Sequence, residues 1–362
     1  MLRQIRYFLN YLVVTILSVI TSCTKINEQD FFRFNLKSIN SEKVATCRVI
    51  PDFVTVCDCQ LFNSVIVDSL VIAEESNSDF RFSVNNLNTR EILGFIGKKG
   101  RGPNEFISSV PISECYKSND DLMIELFSFQ DSKLFTCNIT ESLSTGTTVY
   151  EQIVNLDSNN ERILALHSVY CMNDDEVLVY NSMQNPFKTE LDSAPMYQIY
   201  SKKDGRLLRS SNIFNNVSSD INHDQDFSSS VYMNNHDCIK PDRTKVVMAM
   251  AAMPVVNIIT LSDFKANGFK LDDKLGFSTE SPVMHYIDVQ ADDEYIYALY
   301  LGSDLSSSDY TTELHVFDWN GVFHKKVLFD MSYEAIRLTN HSLYLFTYSD
   351  NSLYSVDISE LR

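Results

Sequence analysis

The sequence predicts an all-β chain, a six-bladed β-propeller of four-stranded antiparallel blades whose ring is closed by an N-terminal strand. Three observations predict it. A polar turn followed by a short run of β-formers recurs six times, alternating strands flank tight turns inside the repeats, and the last repeat runs out of chain before its outermost strand. The 362 residues are 44% hydrophobic and 12% aromatic with only 10 glycines and 8 prolines, which excludes disordered, collagen-like and low-complexity classes. With 30 Lys+Arg against 48 Asp+Glu the formal net charge is −18, so nucleic acid is not expected as a partner: that binding runs on phosphate neutralisation by Lys and Arg.

The first residues read as processing signal rather than fold. Arg3 and Arg6 precede an apolar run from Tyr11 to Ile20, too short for a transmembrane helix, which needs about 20 apolar residues. The run ends at Ile20-Thr21-Ser22-Cys23, which resembles the bacterial lipobox, and this resemblance implies acylation of Cys23. The expected organisation is a signal peptide over 1–22, a lipid-anchored tether and candidate closing strand over 23–45, and the propeller over 46–362. Several acyl chains on one cysteine give durable membrane anchoring, because each buried CH2 adds about 0.8 kcal/mol.

The repeats follow in order. Asp68-Ser69 leads into Leu70–Ala73, Asp120-Asp121 into Leu122–Leu126, and Asp174-Asp175-Glu176 into Val177–Tyr180. Asp242-Arg243 precedes Val246–Ala249, Asp292-Asp293-Glu294 precedes Tyr295–Tyr300, and Asn340-His341 precedes Leu343–Tyr348. First apolar positions at 70, 122, 177, 246, 295 and 343 are separated by 52, 55, 69, 49 and 48 residues, the length of a propeller blade. Repetition of the acidic clusters before strands marks them as turn formers rather than calcium ligands. Asn320-Gly321 after Leu314–Asp318 predicts a two-residue hairpin turn with positive φ, and Asp204-Gly205 after Met196–Tyr200 and Asn267-Gly268 after Val255–Leu261 predict the same.

After Leu353–Ile358 only Ser359-Glu360-Leu361-Arg362 remain, so the sixth blade lacks an outer strand. An open ring would expose a long sheet edge. Val49–Val56 or Phe31–Leu36 is therefore expected to complete it.

Four glycines fall between positions 94 and 102, beside Lys98, Lys99 and Arg101. Lys98, Lys99, Gly100, Arg101 and Gly102 form a candidate anion loop, or else a blade connection needing unusual backbone angles. The stretch lacks the Gly-Lys-Ser/Thr end of a nucleotide-binding P-loop. Gly100-Arg101-Gly102-Pro103-Asn104-Glu105-Phe106 resembles the loop following the first blade in TolB-like six-bladed β-propeller lipoproteins of Bacteroidetes, with Asn104 at the family's glycine. The resemblance implies a fold and a cell-envelope address, and no catalytic residues.

A Ser- and Asn-rich loop is expected over 212–241. Within it His223, Asp224, Asp226, His236 and Asp237 are weak candidates for a metal or for lining a ligand site. Cys47, Cys57, Cys59, Cys115, Cys137, Cys171 and Cys238 have no zinc-ligand spacing; buried thiols with at most one or two disulfides are expected. No Gly-x-Ser-x-Gly or His-Glu-x-x-His motif occurs, and no cofactor is expected. The functional expectation is a membrane-anchored binding or scaffold module of the bacterial cell envelope for a glycan, peptide or protein, lipid-anchored at the outer membrane on its periplasmic or its surface face. The alternative is a propeller hydrolase, lactonase or lyase with a metal or carboxylates in its funnel.

Overall fold

The computed structural model describes residues 32–56, 60–76, 78–156, 168–181, 195–215, 235–272, 283–304 and 311–362. Three short strands lead the chain: β1 (Leu36–Ile39), β2 (Ala45–Arg48) and β3 (Asp52–Val56). Blade 1 holds β4 (Gln60–Val67), β5 (Leu70–Glu74), β6 (Phe80–Asn86) and β7 (Ile92–Lys98). Blade 2 holds β8 (Ile112–Ser118), β9 (Asp121–Ser128), β10 (Lys133–Asn138) and, after helix α1 (Ile139–Thr145), β11 (Val149–Asn155). Blade 3 is β12 (Ser168–Cys171), β13 (Glu176–Tyr180), β14 (Tyr197–Ser201) and β15 (Leu207–Ser211). Blade 4 is β16 (Asn235–Ile239), β17 (Lys245–Met250), β18 (Val255–Thr260) and β19 (Ala266–Leu271). Blade 5 is β20 (Val283–Ala291), β21 (Tyr295–Asp304), β22 (Glu313–Asp318) and β23 (Phe323–Leu328). Blade 6 is β24 (Ala335–Leu338), β25 (Ser342–Thr347) and β26 (Ser352–Asp357), with helix α2 (Ile358–Leu361) at the end.

The expected six four-stranded antiparallel blades are present. The polar turn of each repeat sits between the first and second strands of a blade, so each blade starts one strand earlier than the visible repeat. The turns work as Asp and Asn side chains accepting from the backbone ahead. Asp292 Oδ1 takes the N–H groups of Glu294 (2.8 Å) and Tyr295 (2.7 Å), and Asn173 Oδ1 takes those of Asp175 and Glu176.

Closure uses Val49–Val56, the first of the two candidate segments. β3 pairs antiparallel with β26, Ser352 opposite Val56 and Ser355 opposite Asp52. The chain before it does more than tether. β1 adds parallel to β19, β2 adds parallel to β23, and Phe32 bridges to Phe214 of blade 3. The arm thus covers the outer edges of blades 4 and 5 before completing blade 6.

Two turn expectations need correction. Asn267-Gly268 lies inside β19, and the turn comes earlier, with Phe264 at φ 55°. Gly268 serves close approach instead: a Cβ there would stand 2.3 Å from Leu36 Cδ2 and 2.6 Å from a Phe34 ring carbon. At Asn320-Gly321 only Gly321 has positive φ, 82°. The loop is four residues because Asp318 Oδ1 captures the N–H groups of Asn320 and Val322.

The core is divided among the blade interfaces. Second strands are buried on both faces and share their side chains alternately: Val246, Met248 and Met250 pack toward blade 3, and Val247 and Ala249 toward blade 5. Among the described residues, the blade 3–4 interface buries sixteen apolar side chains. The closing seam between blades 6 and 1 buries six: Ile66, Val71, Ala73, Ala335, Phe346 and Leu353. Among the described residues it is the thinnest of the blade interfaces. Cys47, Cys115, Cys137, Cys171 and Cys238 are free thiols; Cys57 and Cys59 lie outside the described residues.

Candidate functional site

The first strands β4, β8, β12, β16, β20 and β24 surround the propeller axis and enclose a cavity of about 420 Å³ to which every blade contributes. It lies toward the ends where β8, β12, β16 and β24 begin. First strands carry polar residues because one face of each meets the channel rather than a neighbouring blade.

Four carboxylates reach its wall. Glu74 Oε2 accepts from Asn63 Nδ2 (3.0 Å) and Ser109 Oγ (2.8 Å), with Arg81 3.9 Å from its other oxygen. Asp237 accepts from the Ser168 hydroxyl at 2.5 Å, and its carbonyl takes the Tyr170 hydroxyl at 2.9 Å, joining blades 3 and 4. Asp288 Oδ2 holds Arg337 Nη1 and the Ile336 N–H. Glu334, just before β24, accepts the Tyr348 N–H at 3.0 Å. Burial pushes its carboxyl above the ordinary range, against that backbone hydrogen bond, and Asp350 adds to the upward shift.

Farther along the first strands, Glu114 of β8 pairs with Arg243, which comes from the β16–β17 turn. Blades 2 and 4 are not neighbours, so this pair crosses the channel. Beside it Cys171 contacts Glu125, and Lys202 Nζ lies 3.8 Å from Glu125. Burial, followed by the Glu125 charge, raises the Cys171 thiol well above its usual value and pushes Tyr116 up to about 12. Glu114, Glu125 and Cys171 bring ligand-type atoms within 4.8 Å of one another. Arg243 and Lys202 already supply the positive charge a metal ion would bring there.

The Gly-rich stretch is elsewhere: it begins the connection from β7, the outermost strand of blade 1, to β8, and only the far end of that connection, Ser109 and Pro111, reaches the cavity. Lys98 Nζ meets Glu105 at 2.9 Å, and the Gly102 N–H donates to Glu105 Oε2 at 2.7 Å, so the loop holds a carboxylate of its own. Lys99 Nζ donates to the carbonyls of Glu75 and Ser76, while Arg101 is exposed. Several motif positions have a task. A Cβ on Gly100 would strike the Glu105 carboxylate, Asn104 takes φ 61°, and Phe106 is buried edge-on against Phe135 at 5.0 Å.

His236 and Asp237 both line the cavity. They stand on β16 rather than in a loop over 212–241: a strand with polar residues facing a channel reads as loop in sequence. Cys23, His223, Asp224 and Asp226 lie outside the described residues. Sequence reasoning passed over Glu74, Asp288, Glu334 and Arg337. The available signal was position, since all four sit at a strand end or on a first strand around the axis.

No family model and no curated protein matches the chain. Solved structures resemble it over most of its length. A protein from Bacteroides fragilis NCTC 9343 described as exported is 11% identical, covering 92% of this chain and 97% of its own, with a TM-score of 0.49. A protein from Bacteroides uniformis ATCC 8492 described as a 6-phosphogluconolactonase is 11% identical, covering 81% and 80%, at 0.43. The extracellular domain of a one-component system from B. thetaiotaomicron is 7% identical, covering 85% and 41%, also at 0.43. At such identities these likenesses speak of architecture alone, and the six-bladed assignment rests on the strand pairing itself. Among the described residues, no helix is long and apolar enough to cross a membrane.

Proposed function

We propose that this protein is a lipid-anchored binding module of the bacterial cell envelope, of the TolB-like propeller kind, which holds a small polar ligand such as a glycan fragment in its central cavity. One observation carries the reading: a cavity of about 420 Å³ lined by every blade and crossed farther along by the Glu114–Arg243 pair. Small-molecule sites are concave, preformed and equipped with a few convergent polar groups. The wall is preformed, since Glu74, Asp237 and Asp288 are each fixed by hydrogen bonds before any ligand arrives. The anchor rests on the Ile20-Thr21-Ser22-Cys23 sequence, and the TolB-like kinship on residues 100–106.

Thermal-shift and calorimetric titration of the full chain with envelope glycan fragments tests the cavity. A ligand that stabilises the wild type should do nothing for Ser109→Trp, which fills the rim; a ligand that binds both equally would move the site elsewhere. Metabolic labelling with a fatty acid tests the anchor, and label retained by Cys23→Ala would refute it.

A further inference from the structure

The cavity wall carries Glu74, Asp237, Asp288 and Glu334 against one guanidinium, Arg337, and one imidazole, His236, so acidic groups outnumber basic ones by four to two. Arg337 is turned into the wall: Nη1 lies 2.8 Å from Asp288 Oδ2, and Nε donates to the Ser64 carbonyl at 2.7 Å. Glu74 has Arg81 behind it. Glu334 is different, a half-buried carboxylate held by the Tyr348 backbone N–H.

The neutral donors are directed the same way. Asn63 Nδ2 donates to Glu74 and to the Val110 carbonyl, Ser109 donates to Glu74, and the Ser168 and Tyr170 hydroxyls donate to Asp237. These four donors are thus engaged within the wall, while each carboxylate offers about four lone-pair sites. What faces the cavity is rich in acceptors and in negative charge. Its complement is rich in donors and positively charged.

Resting on the reading of the cavity as a ligand site, we infer that the ligand is a small hydroxylated molecule bearing a protonated primary amine, with Glu334 as the counter-charge of its ammonium. The ammonium brings three donors and one positive charge to the carboxylate of the wall that pairs least within it. A neutral sugar of the same shape satisfies acceptors through its hydroxyls but leaves the charge, and an acidic one meets like charges across the wall.

Three probes of nearly one shape separate these cases: glucosamine, glucose and glucuronate, titrated calorimetrically into the full chain at low ionic strength. Glucosamine should bind about tenfold more tightly than glucose, with glucuronate weakest. Glu334→Gln should bring glucosamine to the level of glucose while raising the unliganded melting temperature, because a half-buried charge has gone. Equal affinity for all three probes would overturn the charge assignment and leave the cavity as a site. Binding of none would overturn the site as well. If calcium chloride alone raised the melting temperature and blocked glucosamine, the cation of this wall would be a metal and the amine assignment would fail. The three-probe comparison on the wild type decides even where the variant does not fold.

Discussion

Arg337 Nη1 lies 2.8 Å from Asp288 Oδ2 while the same guanidinium donates from Nε to the Ser64 carbonyl at 2.7 Å, so one side chain joins blades 5, 6 and 1. It does so beside the closing seam, where the described apolar contact is thinnest. Replacing Arg337 with Met leaves the Asp288 carboxylate, 16% exposed, without its cation, and the expected cost is about 3–5 kcal/mol. Urea denaturation of the full chain measures it. A midpoint within experimental error of wild type would mean that apolar packing alone closes the ring.

The N-terminal arm makes two separable contributions. Deleting residues 24–48 removes β1 and β2 and re-exposes the edges of blades 4 and 5, so the melting temperature should fall while unfolding stays cooperative. Deleting 24–56 also removes β3, leaving blade 6 three-stranded, and cooperative unfolding should be lost. An unchanged melting temperature for the longer deletion would refute closure by β3.

Gly268 tests the seat of the arm. A valine there meets Leu36 and Phe34 within 2.6 Å, and the overpacking should cost about 1–3 kcal/mol. The expected sign of arm release is faster proteolysis between residues 32 and 48 with the blades intact. Uniform resistance to the protease would show that the strand absorbs the extra volume.

His315 makes stability depend on pH. It is buried in blade 5, 3.3 Å from both Tyr286 Oη and Glu313 Oε2, with Tyr300 stacked on its ring and Lys326 paired to the same glutamate. Burial lowers its pKa below the ordinary 6.5, outweighing the Glu313 hydrogen bond. Because the folded value is depressed, this contribution is complete above about pH 6.5 and is lost as pH falls through the folded value. Melting temperatures from pH 7 to 5 should fall more for wild type than for His315→Phe. Parallel curves would remove His315 from the account.

Phe106 anchors the Gly-rich connection. It is 1% exposed against Phe135, and Phe106→Ala should cost about 3–5 kcal/mol. Asn104→Gly should be neutral or mildly stabilising, since Asn104 already takes φ 61°. Destabilisation by Asn104→Gly would show that the asparagine side chain matters as well as the backbone angle.

Second strands such as β13 and β17 are buried on both faces, so their sequences are continuous apolar runs introduced by Asp or Asn turns, and a reader of sequence finds them at once. First strands are half polar: Asn235–Ile239 reads as part of a loop although it forms one wall of the channel. The arm was equally hard to place, because four-residue strands with exposed positions have no periodicity to detect. His236 and Asp237 were visible as residue types, but nothing local said that they would meet Glu334 or Arg337.

The sequence by itself determined the number of repeats, the all-β class and the need for an N-terminal strand to close the ring, because turn chemistry and strand burial are local and repeat along the chain. Only the tertiary structure decided where each blade begins, how the arm wraps blades 4 and 5, and that residues as distant as Asn63, Asp237 and Glu334 share one cavity. The physical reason is geometric. A channel wall is assembled from one strand of every blade, so its chemistry exists only when six separate stretches of chain meet around a common axis.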